Sequence, residues 1–107
     1  MKKGMAKVSV MYANGEGKTF DMDYYTEVHM PLVQKLLCDA LKGSSIEKGL
    51  GGAAPGSTAP YAGIGIMYFN SVRDFGQAFA PHSKEITGNL SNFNSIKPLV
   101  QISEIIG

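Results

Sequence analysis

Three stretches of the chain alternate apolar and polar residues with a period of two, which is the pattern of a β-strand. In the first, Val8, Val10 and Tyr12 share one face. In the second, Gly63 and Gly65 share a face, which indicates that another element packs closely there. The last has apolar residues on both faces, so we expect both to be covered. These strands are predicted over residues 6–13, 61–69 and 99–106, and a weaker pattern predicts another over residues 44–50.

A different pattern covers residues 22–41, where apolar residues recur at helical spacing. Asp21 is suited to cap the start of this helix. Pro31 lacks the N–H that would bond to the Glu27 carbonyl, so the helix is expected to kink there or to divide into two. His29 lies in the middle of the apolar stripe, which comprises Met22, Tyr25, His29, Leu32, Val33, Leu36 and Ala40.

A second amphipathic helix is predicted to start at Ser71, whose side chain suits a helix cap. It should end or bend at Pro81 because proline interrupts the helical hydrogen bonds. A further helical piece is expected over residues 83–87. An irregular segment should follow it, with Leu90 and Phe93 anchored in the core.

The element order is strand, helix, strand, strand, helix, strand, which is that of the ferredoxin-like βαββαβ fold. We therefore predict an α+β domain with a four-stranded antiparallel sheet and both helices on one face. The other face carries apolar side chains that nothing else in the chain is left to cover. Because a large exposed apolar face is rare on a soluble monomer, we expect a homodimer through this open sheet face.

Composition narrows the classes of function. The 107 residues suffice for one hydrophobic core, and we predict a single domain over residues 1–107. A formal net charge of +1 with 18% charged residues offers no basic surface for nucleic acid or an anionic membrane. No apolar run is long enough to cross a bilayer, and no signal peptide is recognisable, so we expect a cytoplasmic protein.

The sequence lacks the residue patterns that usually bind a metal ion or a nucleotide or supply a catalytic nucleophile. Cys38 is the one cysteine, and it cannot build a zinc site with His29 and His82 alone. We expect no metal. Residues 49–54 match the glycine-rich dinucleotide pattern, but no helix is predicted after them, so a flexible loop is the preferred interpretation. His82 follows Pro81 at a bend and is expected at the surface.

His29 is the strongest candidate for chemistry. A histidine in an apolar helix face is desolvated, which favours the neutral imidazole with one donor and one acceptor nitrogen. Tyr25 lies one turn earlier, so we predict that both are catalytic: His29 moves a proton and Tyr25 orients a substrate oxygen. Alternatively, His29 is structural and bonds to a backbone carbonyl or a core tyrosine. A substrate pocket is expected to be lined by Tyr12, Phe69, Phe75 and Phe79.

Three segments of the chain together resemble the EthD family, which is named for a protein linked to ethyl tert-butyl ether degradation. The first is residues 20–25, Phe-Asp-Met-Asp-Tyr-Tyr, followed by His29-Met30-Pro31. The second is the loop of residues 54–61, with its two Ala-Pro pairs. The third is the tail that contains Asn92-Phe93 and residues 101–104, Gln-Ile-Ser-Glu.

This resemblance implies a ferredoxin-like subunit whose sheet packs on a partner's sheet to close a dimeric α+β barrel. It also implies a cavity between helices and sheet toward which His29 points. Some similar proteins are cofactor-independent cyclases, dehydratases or isomerases on small aromatic or polyketide-like compounds. One departure is Asn89, which stands where many relatives have an acidic residue. If that carboxylate is needed for chemistry elsewhere in the family, this chain lacks it.

The leading hypothesis is a homodimer that binds a small apolar or aromatic molecule beside His29 and Tyr25. It would act on that molecule by acid-base chemistry without a cofactor, in a degradation or polyketide-like pathway. A second hypothesis is a non-catalytic accessory protein that holds or delivers an apolar compound for an oxygenase system. A third is an interaction module whose cavity is closed. A second polar group near His29, across an open cavity, would favour the first.

Overall fold

The computed structural model describes residues 2–92 and 95–107. The chain has four strands, with one helical run between the first and second strands and another between the third and fourth. The first helical run, residues 22–40, comprises α1 (Met22–Tyr24), a π-helix (Tyr25–His29), α2 (Met30–Leu37) and a 3₁₀ turn (Cys38–Ala40). The second, residues 72–92, comprises α3 (Val72–Phe79), a 3₁₀ turn (Ala80–His82), α4 (Ser83–Gly88) and a 3₁₀ turn (Leu90–Asn92). The strands are β1 (Ala6–Ala13), β2 (Gly43–Lys48), β3 (Tyr61–Phe69) and β4 (Leu99–Glu104).

The strands form one antiparallel sheet in the order β2-β3-β1-β4. Val8 at the centre of β1 lies opposite Met67 of β3 and Ile102 of β4. This order, with the element sequence βαββαβ, is the ferredoxin-like arrangement, so the predicted fold class is confirmed.

The core lies between the sheet and the helical runs. The alternate residues Ala6, Val8 and Tyr12 of β1 are buried there, as the period of two predicted. They pack against one side of the first helical run, because its apolar residues recur once per turn. The buried residues of that run are Tyr25, His29, Met30, Val33 and Leu37.

The helix is interrupted just before Pro31, by a change of helix type. Tyr25–His29 is a five-residue π-helix, and the N–H of Met30 donates to the carbonyl of Tyr25. Proline has no N–H to continue the α-helical hydrogen bonds, so a wider turn ahead of it sacrifices little backbone hydrogen bonding. A π-turn holds more residues than an α-turn, and Tyr25 and His29 remain on the same buried side.

The second helical run starts as predicted but packs less tightly. Ser71 caps α3 by accepting a hydrogen bond from the Asp74 N–H at 3.0 Å, and the helical path changes to 3₁₀ at Ala80–His82, around Pro81. Among the described side chains of this run, Ile86 is the one that is buried. Leu90 is half-buried against the core, and the other predicted anchor, Phe93, lies outside the described residues.

The outermost strand β4 contradicts one expectation. We expected both of its faces to be covered, but Leu99, Val100 and Ile102 are 59%, 57% and 47% exposed. The reason is position: Val100 and Ile102 lie on an edge strand with a strand neighbour on one side, and Leu99 lies on the sheet face opposite the helices. Residues 51–60 form bends and turns without a helix, so the glycine-rich segment lacks the helix N-terminus that a dinucleotide site requires.

Within residues 2–92 and 95–107, no helix is long and apolar enough to span a membrane. The same residues contain no cluster of three or more histidine, cysteine or acidic side chains that could hold a metal ion.

Candidate functional site

A cavity of about 190 Å³ lies between the sheet and the two helical runs. Strands β1, β3 and β4 form its floor, the first helical run one wall, and the second run the opposite wall. The lining side chains come from Val8, Val10, Tyr12, Tyr25, His29, Met30, Val33, Met67, Phe75, Phe79, Ile86, Thr87, Leu90, Pro98 and Val100.

The wall of this cavity is almost entirely apolar. Among the described residues that line it, the polar side chains are His29, Tyr12, Tyr25 and Thr87, and none carries a carboxylate, ammonium or guanidinium group. An uncompensated charge would be costly to desolvate in such surroundings. The cavity therefore suits an uncharged guest.

His29 lies within this wall and is 3% exposed. Its Nδ1 is 2.8 Å from Oδ1 of Asn89, which directly follows α4 on the opposite run. A carbonyl oxygen can only accept, so Nδ1 carries the proton and donates it. The ring lone pair is then on Nε2, and the imidazole has both a fixed orientation and a defined basic nitrogen.

Burial lowers the pKa of His29 from its ordinary value of 6.5, because the charged imidazolium is desolvated. The hydrogen bond to Asn89 acts in the opposite direction but does not cancel this effect. His29 is consequently neutral at pH 7, the state in which an imidazole can accept a proton.

Tyr25 lies beside His29, with the two ring centroids 5.5 Å apart. The hydroxyl end of its side chain lies directly over Gly65, where an added Cβ atom would collide with the Tyr25 hydroxyl oxygen and lie 3.0 Å from Tyr25 Cζ. The glycine predicted to allow close packing therefore does so for this tyrosine. Edge contacts with Tyr12 at 5.5 Å and Phe20 at 5.3 Å hold the ring in place.

The hydroxyl groups of Tyr12 and Tyr25 are hydrogen-bonded to each other. Burial raises the pKa of Tyr25 to about 12, although the hydrogen bond with Tyr12 partly opposes this. Burial likewise raises the pKa of Tyr12 well above its usual value. Both phenols stay protonated at neutral pH and are suited to donate hydrogen bonds.

The structure brings most of the predicted site residues together. His29, Tyr25, Tyr12, Phe75 and Phe79 all line the cavity. Phe69 does not: it is fully buried beneath Phe75, with ring centroids 5.1 Å apart. Strand periodicity put Phe69 on the correct face, but it lies near the end of β3, where Phe75 separates it from the cavity.

Three polar residues around His29 were not among the predicted site residues. Besides Asn89, they are Tyr24, whose hydroxyl accepts from Nδ2 of Asn89 at 3.2 Å, and Asn92, whose Nδ2 reaches the same hydroxyl at 3.3 Å. In regular α-helical geometry, Tyr24 would lie on the side of the helix away from His29. Asn89 was noticed as a departure from the EthD pattern, but no local pattern connects it with a histidine sixty positions away.

His82 and the glycine-rich loop lie outside the site. His82 is half-buried and does not line the cavity. Loop residues 58–60 instead border a separate, more polar depression with Asn14, Gly15 and Glu16.

Comparison with known proteins shows the family to which the chain belongs. The sequence profile of the EthD domain matches residues 14–95. An EthD-like protein of known structure from Ralstonia eutropha JMP134 is 38% identical, with a TM-score of 0.92, over 99% of this chain and 96% of that one. No match was found among curated proteins.

More distant structures share the fold. An EthD family protein from Bacillus halodurans C-125 is 18% identical, with a TM-score of 0.67, over 95% of this chain and 99% of that one. A hydroxynitrile lyase from Passiflora edulis is 17% identical, with a TM-score of 0.69, over 97% of this chain and 95% of that one. The profile match and the 38% identical relative extend over most of the chain, so the protein belongs to the EthD family.

Proposed function

We propose that the protein binds a small uncharged organic molecule in the cavity and acts on it by acid-base chemistry, with His29 as the base and Tyr25 as the hydrogen-bond donor. The observation that carries this proposal is the state of His29. It is buried beside a cavity, neutral, and held by Asn89 at 2.8 Å so that its lone pair is on Nε2.

The size and chemistry of the cavity support a one-ring or fused two-ring guest. Its volume of about 190 Å³ exceeds the roughly 150 Å³ of an apolar cavity that holds benzene. The apolar wall favours carbon-rich ligands, and the tyrosine hydroxyls favour one oxygen on the ligand. An activated ketone with an adjacent C–H bond has these features.

The proposed step is reversible proton abstraction next to a carbonyl group. The C–H bond breaks, its proton goes to Nε2 of His29, and the electron pair moves to the carbonyl oxygen, which the Tyr25 hydroxyl stabilises. Return of the proton to another atom gives isomerisation, and loss of a leaving group gives elimination. The hydroxynitrile lyase from Passiflora edulis is a lyase on the same fold, which is compatible with this class of reaction.

Deuterium exchange into 2-indanone tests the proposal. This ketone is uncharged, has an activated C–H bond, and matches phenylacetate, a charged control, in its number of non-hydrogen atoms. We expect thermal stabilisation by 2-indanone alone, which approaches about 2.7 kcal/mol at a hundred times its dissociation constant. In D₂O buffer, we also expect exchange to be faster with the protein than without it. His29→Gln should reduce this acceleration by about a hundredfold or more.

The outcomes separate the candidate functions. Binding without accelerated exchange would overturn the catalytic role of His29 and support the accessory protein that holds an apolar compound. Absence of binding by 2-indanone would contradict the proposed ligand class. Equal exchange by the parent and by His29→Gln would remove His29 from the reaction.

We also propose that the open sheet face forms a homodimer. Met11, Ile64 and Tyr68 are half-buried on this face, and Leu99 beside them is more exposed. A second copy would cover them with an identical surface, as two-fold symmetric interfaces do.

Light scattering should give a dimer mass for the parent and a lower mass for Ile64→Asp. Val28→Asp, an exposed apolar position on the first helical run, is the matched control and should remain dimeric. A monomeric parent would contradict the proposal.

A further inference from the structure

We propose that Asn89 is a positioning residue that holds His29 in the tautomer with its proton on Nδ1, and that Tyr24 and Asn92 in turn fix the Asn89 amide. The hydrogen-bonding part of this inference stands alone, and its catalytic consequence rests on the function proposed above. The site thereby has a neutral amide where a carboxylate would make the imidazole a stronger base.

The backbone places Asn89 at a defined point. It directly follows α4, and its N–H donates to the carbonyls of Glu85 and Ile86, each at 3.3 Å. From there its side chain crosses to the first helical run and reaches His29. The two walls of the cavity are therefore joined by a hydrogen bond at the candidate base.

The direction of each hydrogen bond follows from the inventory of donors and acceptors. Nδ2 of Asn89 and Nδ2 of Asn92 approach the Tyr24 hydroxyl at 3.2 and 3.3 Å, and both can only donate. With its NH₂ group on the phenol oxygen, Asn89 turns its carbonyl oxygen toward the ring. Nδ1 of His29 must then donate, and this assigns the lone pair to Nε2.

The described side chains that surround His29 in the cavity wall are uncharged. β1 contributes Tyr12, the first helical run contributes Tyr24 and Tyr25, and the second run contributes the Asn89 amide. The part of the cavity lining that the structure describes contains no carboxylate. An anion at the Asn89 position would stabilise the protonated ring strongly, by a Coulomb interaction inside a poorly solvated site. Asparagine orients the ring without that stabilisation.

Alternatively, Asn89 simply terminates α4, and its contact with His29 has no effect on the ring. The two interpretations differ in what the imidazole nitrogens report. Nitrogen chemical shifts distinguish a protonated from an unprotonated imidazole nitrogen, and they need no substrate. His82, which is outside the cavity, serves as an internal reference.

The test is a pH titration of protein with ¹⁵N-labelled histidine. In the parent, His29 should show a protonated Nδ1 and an unprotonated Nε2 at pH 7.5. Asn89→Asp should keep this pattern and raise the pKa of His29 by about one unit or more. Asn89→Ala should populate the tautomer with the proton on Nε2. Asn70→Asp, which adds the same charge at an exposed position, should leave the His29 signals unchanged.

The same variants give a kinetic readout with 2-indanone. The acidic limb of the exchange rate should move to higher pH in Asn89→Asp, and Asn89→Ala should lose about tenfold or more in kcat with a smaller change in KM. An unprotonated Nδ1 in the parent, or an unchanged tautomer in Asn89→Ala, would overturn the proposal. The predicted tautomers without exchange of 2-indanone would leave the positioning role intact and contradict only the proposed function.

Discussion

The two helical runs cover the same sheet but pack against it differently. The first buries five side chains almost completely: Tyr25, His29, Met30, Val33 and Leu37. The second buries Ile86 among its described side chains, and it leaves Phe75, Phe79 and Leu90 half-exposed along the cavity. One wall of the cavity is thus close-packed, and the other is loosely packed.

This difference suits a site that must both hold a base and admit a guest. The close-packed wall fixes His29 and Tyr25, because a buried ring surrounded by neighbours has few rotamers available. The loosely packed wall has fewer contacts to lose when a ligand enters. Asn89 belongs to the second helical run but bonds to the first, so movement of the second run is coupled to the orientation of His29.

The largest effect should come from a matched pair of leucine truncations. Leu37→Ala removes a 3% exposed side chain from the close-packed wall, and we expect a loss of about 3 kcal/mol in the free energy of unfolding. Leu90→Ala enlarges an existing cavity at a half-exposed position, and we expect a smaller loss of about 1 kcal/mol in the free energy of unfolding. Urea denaturation measures both. Equal losses would show that the two walls are packed alike.

Two glycine substitutions compare the packing of the same two helical runs and should change the stability by smaller amounts. Gly65→Ala introduces a Cβ atom against the Tyr25 hydroxyl and should cost about 2 kcal/mol through overpacking. Gly76→Ala, in α3, meets no atom within 4 Å and should stabilise the protein by about 0.5–1 kcal/mol through helix propensity. Opposite signs in thermal denaturation are the expected result. Tolerance of alanine at Gly65 would mean that Tyr25 is not held against the sheet.

The pH dependence of stability should give the smallest effect. Because the pKa of His29 is lower in the folded than in the unfolded chain, the unfolded chain binds its proton more readily. The contribution of His29 is therefore fully present above pH 6.5 and is lost as the pH falls through the folded pKa. Urea midpoints measured from pH 7.5 to 5 should decline more steeply for the parent than for His29→Gln. Equal slopes would indicate that His29 is not desolvated.

Strand and helix periodicity predicted most of the fold because burial on one face is encoded locally. The alternation at Val8 and Tyr12 and the helical stripe around His29 each follow from residues within a few positions. The exposure of Val100 could not be predicted this way, because an apolar residue on an edge strand has the same pattern as one on a central strand.

Prediction of the site was limited by long-range geometry. His29 and Tyr25 were predicted from their shared stripe, and both line the cavity. The partner of His29 was not predicted, because Asn89 comes from the other helical run and depends on how the two runs meet. Placing Tyr24 in the same network also required knowledge of the π-turn at Tyr25–His29 and of its hydroxyl beside Asn89.

The central claim is that an uncharged molecule enters the cavity and meets the basic nitrogen of His29. Titration of ¹⁵N-histidine-labelled protein with 2-indanone tests it most directly, with the His29 and His82 signals followed together. We expect a saturable shift of the His29 Nε2 signal, no comparable shift at His82, and no response of either to phenylacetate. An unresponsive His29 at saturating 2-indanone, or equal responses to the neutral and the charged compound, would contradict it.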